Sequence, residues 1–155
     1  MQFTYFCHVK TDEIYMQECL DLARKGQART APNPMVGCVI VHDKKVIGRG
    51  YHKKYGSNHA EINAIINASK NINNYRLNNT KMYVTLEPCH MCAKAIIDAR
   101  IDEIIFAAPE PKTGSIISID NIYERIKFNH KISYKHGLLM DESSKLLSDF
   151  FKTRR

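Results

Sequence analysis

Hydrophobic positions change their period several times along this chain, and each change marks an element. From Asp12 onward, Met16, Cys19, Leu20 and Ala23 recur at i, i+3, i+4 and i+7, which is one face of a helix, and Gly26 is placed to stop it. Pro32-Asn33-Pro34 breaks any helix and opens into an apolar run over 36–41 that suits a buried strand. Asp43-Lys44-Lys45 turns the chain and 46–51 returns as a second strand, so the pair reads as a hairpin. A loop with Gly56, Ser57 and Asn58 leads into His59-Ala60-Glu61-Ile62, and Ala64, Ile65 and Ala68 carry a helical spacing to about Ser69. Residues 71–80 are polar and loop-like. Residues 82–86 predict a strand, Pro88 sits where that strand hands over to a helix at 89–99, and 103–108 is a further buried strand. A loop through Pro109, Pro111 and Gly114 precedes a short helix at 119–126, a strand near 131–134 and a terminal helix from about Asp141. The order β-β-α-β-α-β predicts a layered α/β domain.

The length of 155 residues fits one domain spanning 1–155, with 1–11 as an extension ahead of the first periodic helix. With 44% hydrophobic and 25% charged residues the chain is composed like a folded protein, which excludes a disordered one. The longest near-apolar run, 35–41, is too short to span a bilayer, so no membrane partner is expected. No basic leader precedes a long apolar stretch at the N-terminus, and a cytoplasmic location is the expectation. The excess of 23 Lys+Arg over 16 Asp+Glu leaves a net charge of +7, which favours anionic partners or serves solubility alone. Five cysteines, an odd number, argue against a closed disulfide framework. Cys7, Cys19 and Cys38 read as small buried hydrophobes. Cys89 and Cys92 stand apart as a C-x-x-C.

The chemistry concentrates in His59, Glu61, Cys89 and Cys92. One imidazole and two thiolates supply three ligands for a tetrahedral zinc and leave the fourth position open, the stoichiometry of a catalytic site. Both clusters fall at predicted helix starts, where the positive end of the helix dipole stabilises thiolate. Glu61, two residues after His59, is placed to face a metal-activated water without ligating the metal, and a carboxylate there can take up a proton and return it. A purely structural zinc needs a fourth ligand; His90 lies between the two cysteines and is expected to point elsewhere. A redox C-x-x-C leaves His59 and Glu61 without a role. The pairing of H-x-E with P-C-x-x-C, here His59-Ala60-Glu61 and Pro88-Cys89-His90-Met91-Cys92, is the known signature of zinc-dependent base deaminases.

At these residues the chain resembles the cytidine/deoxycytidylate deaminase superfamily, from about Asp12 to the C-terminus. The resemblance implies a three-layer fold with a central five-stranded mixed sheet flanked by helices, and one zinc per chain. The second half is similar to bacterial tRNA-specific adenosine deaminases in 74–77, in Tyr83-Val84-Thr85-Leu86-Glu87-Pro88-Cys89, in Met91-Cys92-Ala93 and in Lys112-Thr113-Gly114. Asn129-His130, 146–152 and the closing Arg154-Arg155 match as well. That resemblance implies conversion of adenosine to inosine at the wobble position of tRNA, the anticodon loop as partner, and a homodimer. The first half departs from it. Residues 31–38 and 50–56 look like the pyrimidine deaminase of riboflavin biosynthesis, and His52 stands where the tRNA enzymes usually carry Asn.

Several residues are candidates for substrate contact. Asn33 has the donors and acceptor to read a base edge or a ribose hydroxyl, or else is a turn residue between prolines. His52 is expected either to hydrogen-bond substrate or to be a satisfied structural histidine. Lys112 and Thr113 are candidates for phosphate contact or a solvated loop. Of Phe150 and Phe151 at least one is expected in the core, and the other is a candidate to stack on a splayed base. Arg154, with Lys152 and Arg155, is a candidate RNA contact. Three functions follow: a tRNA adenosine deaminase, a deaminase of a small pyrimidine nucleotide, or a non-catalytic RNA-binding module that keeps zinc for its structure.

Overall fold

The chain folds, in a computed structural model that describes the backbone of residues 2–153 and the side chains of 11–153, around a five-stranded sheet. The strands are β1 (Gly37–His42), β2 (Lys45–Tyr51), β3 (Thr80–Leu86), β4 (Glu103–Ala108) and β5 (Ser133–His136), in the spatial order β2-β1-β3-β4-β5. β1 runs antiparallel to both β2 and β3, while β3, β4 and β5 are mutually parallel, so the sheet is mixed. The hairpin between β1 and β2 turns on Asp43 and Lys44, both at positive φ (48° and 63°), the geometry that matches the twist of its flanking strands.

Both faces of the sheet are covered, which is why its central strands read as continuous apolar runs. Alternation sorts them. Cys38, Ile40, Met82, Val84, Ile104 and Phe106 face α2 (Ala60–Ile72) and α3 (His90–Asp98), with Ala60, Ala64, Ala68 and Ile96 in one buried cluster. Val39, Val41, Tyr83, Ile105 and Ala107 face the other way, against Met16, Cys19 and Leu22 of α1 (Gln2–Arg24). The terminal helix α5 (Met140–Lys152) is pinned to the sheet by the Ser143 hydroxyl, which donates to the Thr85 carbonyl at 2.7 Å.

Helix α2, which carries two of the candidate site residues, lies unusually close to β2. A Cβ on Gly50 would sit 2.3 Å from the Ala60 carbonyl oxygen, so only glycine lets the first turn of α2 dock there. The same helix covers the free edge of β2. Asn63 donates to the Tyr51 carbonyl (2.9 Å), Asn67 accepts from the Arg49 N–H (2.9 Å), and Asn71 donates to the Ile47 carbonyl (2.8 Å). Three asparagines at i, i+4 and i+8 thus satisfy an edge that would otherwise recruit another strand.

Some boundaries move from their sequence expectation. The periodic stripe places the first helix from Asp12, whereas its backbone is helical from Gln2, so residues 2–11 continue α1 instead of preceding it. The stripe reports only where a helix has a sheet to pack on. The side chains of 1–10, Cys7 included, lie outside the described residues. Helix α2 runs one turn further, to Ile72, closed by Asn73 in the left-handed conformation (φ 52°). The short helix expected at 119–126 is α4 (Ile122–Arg125), whose cap Asn121 accepts from the Glu124 N–H, and β5 lies two residues beyond 131–134. Among the described residues no helix is long and apolar enough to cross a membrane.

Candidate active site

Two helix starts meet at the site. His59 is the cap residue of α2 and Cys89 that of α3; both have extended backbone (ψ 159° and 173°), and neither side chain makes a capping hydrogen bond. The side chains point at each other instead. His59 Nδ1 lies 3.4 Å from Cys92 Sγ and 3.7 Å from Cys89 Sγ, and the three candidate ligand atoms all lie within 4.8 Å of one another. A tetrahedral zinc with bonds of about 2.0–2.3 Å spaces its ligands by roughly 3.5–3.8 Å, so this nitrogen–sulfur–sulfur triangle has the size and donor chemistry to hold one. His90 takes no part: its Nε2 lies 2.9 Å from Asp120 Oδ2.

The thiols are poised unequally. Hydrogen bonding from Cys92, and then from His59, brings Cys89 down to about 4 against the opposing effect of burial. Its bonding to Cys89, burial and the nearby Glu61 push Cys92 up. Glu61, in the first turn of α2, is only 4% exposed. Burial, with the charge of Cys89 adding to it, pushes its carboxyl up to about 7.

In front of this group opens a cavity of about 400 Å³. His59, Glu61 and Cys89 form its floor, and Asn33, His52, Lys112, Thr113 and Phe151 line its walls together with apolar Val36, Ala60 and Leu86. The fold thus brings together residues that are far apart in sequence. His52 is 3% exposed and doubly engaged. Its Nδ1 lies 3.0 Å from the Asn58 carbonyl oxygen, which can only accept, so Nδ1 carries the proton and Nε2 is left to accept from the Asn33 amide at 3.4 Å. The ring stands edge-on to His59 with centroids 5.8 Å apart. Both ring nitrogens of His52 are thus engaged within the protein, one of them by Asn33.

The aromatic pair divides. Phe150 is 4% exposed and packs with Ala23 and Met35, which removes it from the candidate substrate contacts, whereas Phe151 is 42% exposed and lines the cavity. Arg154 lies outside the described residues. Glu87 and Glu110, to which the sequence reading gave no role, also line the cavity. The one signal in sequence is that Glu87 lies two residues before Cys89. Glu87 is buried, which would push its carboxyl up, yet hydrogen bonds from Ile117, Ser118 and Glu110 hold it below its ordinary value.

Residues 9–108 match the model of the cytidine and deoxycytidylate deaminase zinc-binding region. The chain belongs to this family. Within it, the chain is 43% identical over 149 residues to a tRNA-specific adenosine deaminase of Haemophilus influenzae, covering 93% of this chain and 85% of that one. It is 40% identical over 150 residues to a diaminohydroxyphosphoribosylamino-pyrimidine deaminase of Buchnera aphidicola subsp. Schizaphis graminum, covering 93% and 96%. Among solved structures, one from work on A-to-I editing by tRNA:A34 deaminases at the wobble position of transfer RNA superposes with a TM-score of 0.76 at 32% identity, covering 86% of this chain and 98% of the other. The deaminase/reductase of Thermotoga maritima superposes with a TM-score of 0.79 at 33% identity; it covers 94% of this chain, which spans only 41% of that longer protein. These likenesses bear out the five-stranded mixed sheet between helices and a hydrolytic deaminase, and they set aside the non-catalytic module.

Proposed function

We propose that this protein is a zinc-dependent, cytoplasmic adenosine deaminase that converts adenosine to inosine at the wobble position of tRNA. The observation that carries the substrate class is Phe151: an exposed aromatic ring from the terminal helix, followed by Lys152, lines the same cavity as Glu61, His59 and Cys89. A stacking ring beside a cation suits an unpaired base on a charged backbone. The similarity to tRNA-specific adenosine deaminases over 93% of the chain supports the same reading.

His59, Cys89 and Cys92 would hold one zinc ion, whose Lewis acidity makes hydrolytic attack feasible at neutral pH. Glu61 takes a proton from the attacking water and delivers it towards the departing amine, so adenosine and water become inosine and ammonia. Its burial suits the task, because desolvation raises the carboxyl's affinity for the proton it must take up. Asn33, held by His52, presents amide groups to the base or ribose. Val36, Ala60 and Leu86 exclude bulk water from the reacting edge. An anticodon loop suits the site because its bases are already unpaired and cost little to extrude. Homodimerisation is part of this reading, supported by exposed Met91 and Ile119, each next to a partner of the His90–Asp120 contact.

A second reading, a deaminase of a small pyrimidine nucleotide, draws on the Buchnera relative and on Lys112 in the cavity wall, a cation suited to a single phosphate. The deciding experiment offers the zinc-loaded protein an anticodon stem-loop with adenosine at the wobble position, and separately the riboflavin-pathway pyrimidine, with inosine and ammonia as readouts. The tRNA reading expects inosine in the stem-loop, and binding that weakens steeply as salt rises. Turnover of the pyrimidine with an untouched stem-loop at low salt reverses the assignment.

A further inference from the structure

Glu87, the first residue beyond β3, lines the cavity, and both of its carboxylate oxygens are taken up by donors of the protein itself. Oε1 accepts the backbone N–H groups of Ile116 (3.0 Å), Ile117 (2.7 Å) and Ser118 (3.0 Å). Oε2 accepts the Glu110 N–H (3.0 Å) and the Ser118 hydroxyl (2.5 Å). A carboxylate offers about four lone-pair sites, so five donors from the protein leave none for substrate. Three successive N–H groups on one oxygen form a small anion nest, filled here by a side chain of the same chain.

The donors all belong to one segment, residues 110–118, which also carries Lys112 and Thr113 into the cavity wall. That segment is stitched a second time to the candidate ligand turn: the N–H and the hydroxyl of Ser115 each donate to the Pro88 carbonyl at 3.0 Å. Its approach is so close that a Cβ on Gly114 would lie 2.3 Å from Glu87 Oε2 and 2.4 Å from Cδ. The wall is therefore tied to the residues immediately before Cys89.

We propose that Glu87 is a positioning residue that sets substrate affinity by fixing the wall 110–118 relative to the candidate ligand turn, and that it takes no part in proton transfer. This rests on the reading of the cavity as the substrate site. It does not depend on which base is the substrate.

The test compares Glu87→Ala, Glu87→Gln and Gly114→Ala with wild type, all zinc-loaded. Amide hydrogen exchange is read at 110–118 and across α3, and KM and kcat are read on whichever substrate the wild type deaminates. Glu87→Ala is expected to speed exchange at 110–118 by about tenfold or more, the equivalent of one net hydrogen bond lost, with α3 unchanged. It should keep its zinc and raise KM more than it lowers kcat. Glu87→Gln keeps one oxygen for the N–H groups of 116–118 and should recover most of both. Gly114→Ala displaces the same wall from the opposite side with Glu87 intact, and should reproduce the KM effect if Glu87→Ala does not fold. Unchanged exchange at 110–118, or kcat lost at constant KM, overturns the proposal; so does an exchange increase spread evenly over 110–118 and α3. A switch of substrate from stem-loop to pyrimidine leaves every one of these comparisons standing, so failure of the tRNA reading is told apart from failure of this one.

Discussion

The cavity is lined by two buried carboxylates in opposite surroundings. Glu61 stands on the first turn of α2 beside two thiols and an imidazole, and burial pushes its carboxyl up to about 7. Glu87 stands at the end of β3; burial acts in the same direction, but donors from 110–118 outweigh it and keep the group ionised. Burial alone does not decide what an acidic side chain does; the donors it meets decide. Glu61 is a carboxyl raised by burial, Glu87 an anion that organises backbone. Similar residue types at similar depth thus divide into chemistry and scaffolding.

The sharpest ways to break this contrast begin with the group beside Glu61. Cys89→Ala or Cys92→Ala should abolish turnover and zinc retention and lower Tm, because metal binding is coupled to folding. Metal analysis beside thermal melts checks this, and a double variant that still binds zinc stoichiometrically would remove the centre from these residues. Glu61→Gln should keep zinc and Tm while turnover drops by about 10²–10⁴-fold, the usual worth of a positioned acid–base group. Single-turnover assays decide it; near wild-type rates would make the two carboxylates equivalent scaffolds.

The aromatic pair sharpens the same division one turn from the C-terminal end. Phe150→Ala should cost about 3–5 kcal/mol of stability, read by denaturant unfolding, since it opens a cavity against Ala23 and Met35. Phe151→Ala should leave stability unchanged and weaken stem-loop binding by about 1–3 kcal/mol, the worth of one stacked base. Equal effects of both on stability would withdraw Phe151 from the cavity lining. The smallest change is expected at His52→Asn. Asparagine can keep the bond to the Asn58 carbonyl but cannot reach the Asn33 amide, so KM should rise by a few-fold, the worth of a single neutral hydrogen bond. An unaltered KM would show that Asn33 needs no such support.

What the sequence determined by itself is what short spacing encodes. Short apolar runs and helical spacings of three to four placed β1 to β4 and the helices between them, because each is a property of neighbouring residues on one element. The H-x-E and C-x-x-C spacings likewise named His59, Glu61, Cys89 and Cys92, since each pair shares a single helical start. Only the tertiary structure decided the rest. Phe150 and Phe151 are adjacent on a helix and point about 100° apart; which one is buried depends on where α5 docks against Ala23 and Met35, more than a hundred residues earlier in the chain. His52 left two readings open, a substrate contact or a satisfied structural histidine, and only the fold put the Asn58 carbonyl and the Asn33 amide beside its two nitrogens. Glu87 carried no role in the sequence, because its partners lie 23 to 31 residues further on, in a loop without periodicity. A side chain's role was legible where its partners were local, and waited for the fold where they came from another part of the chain.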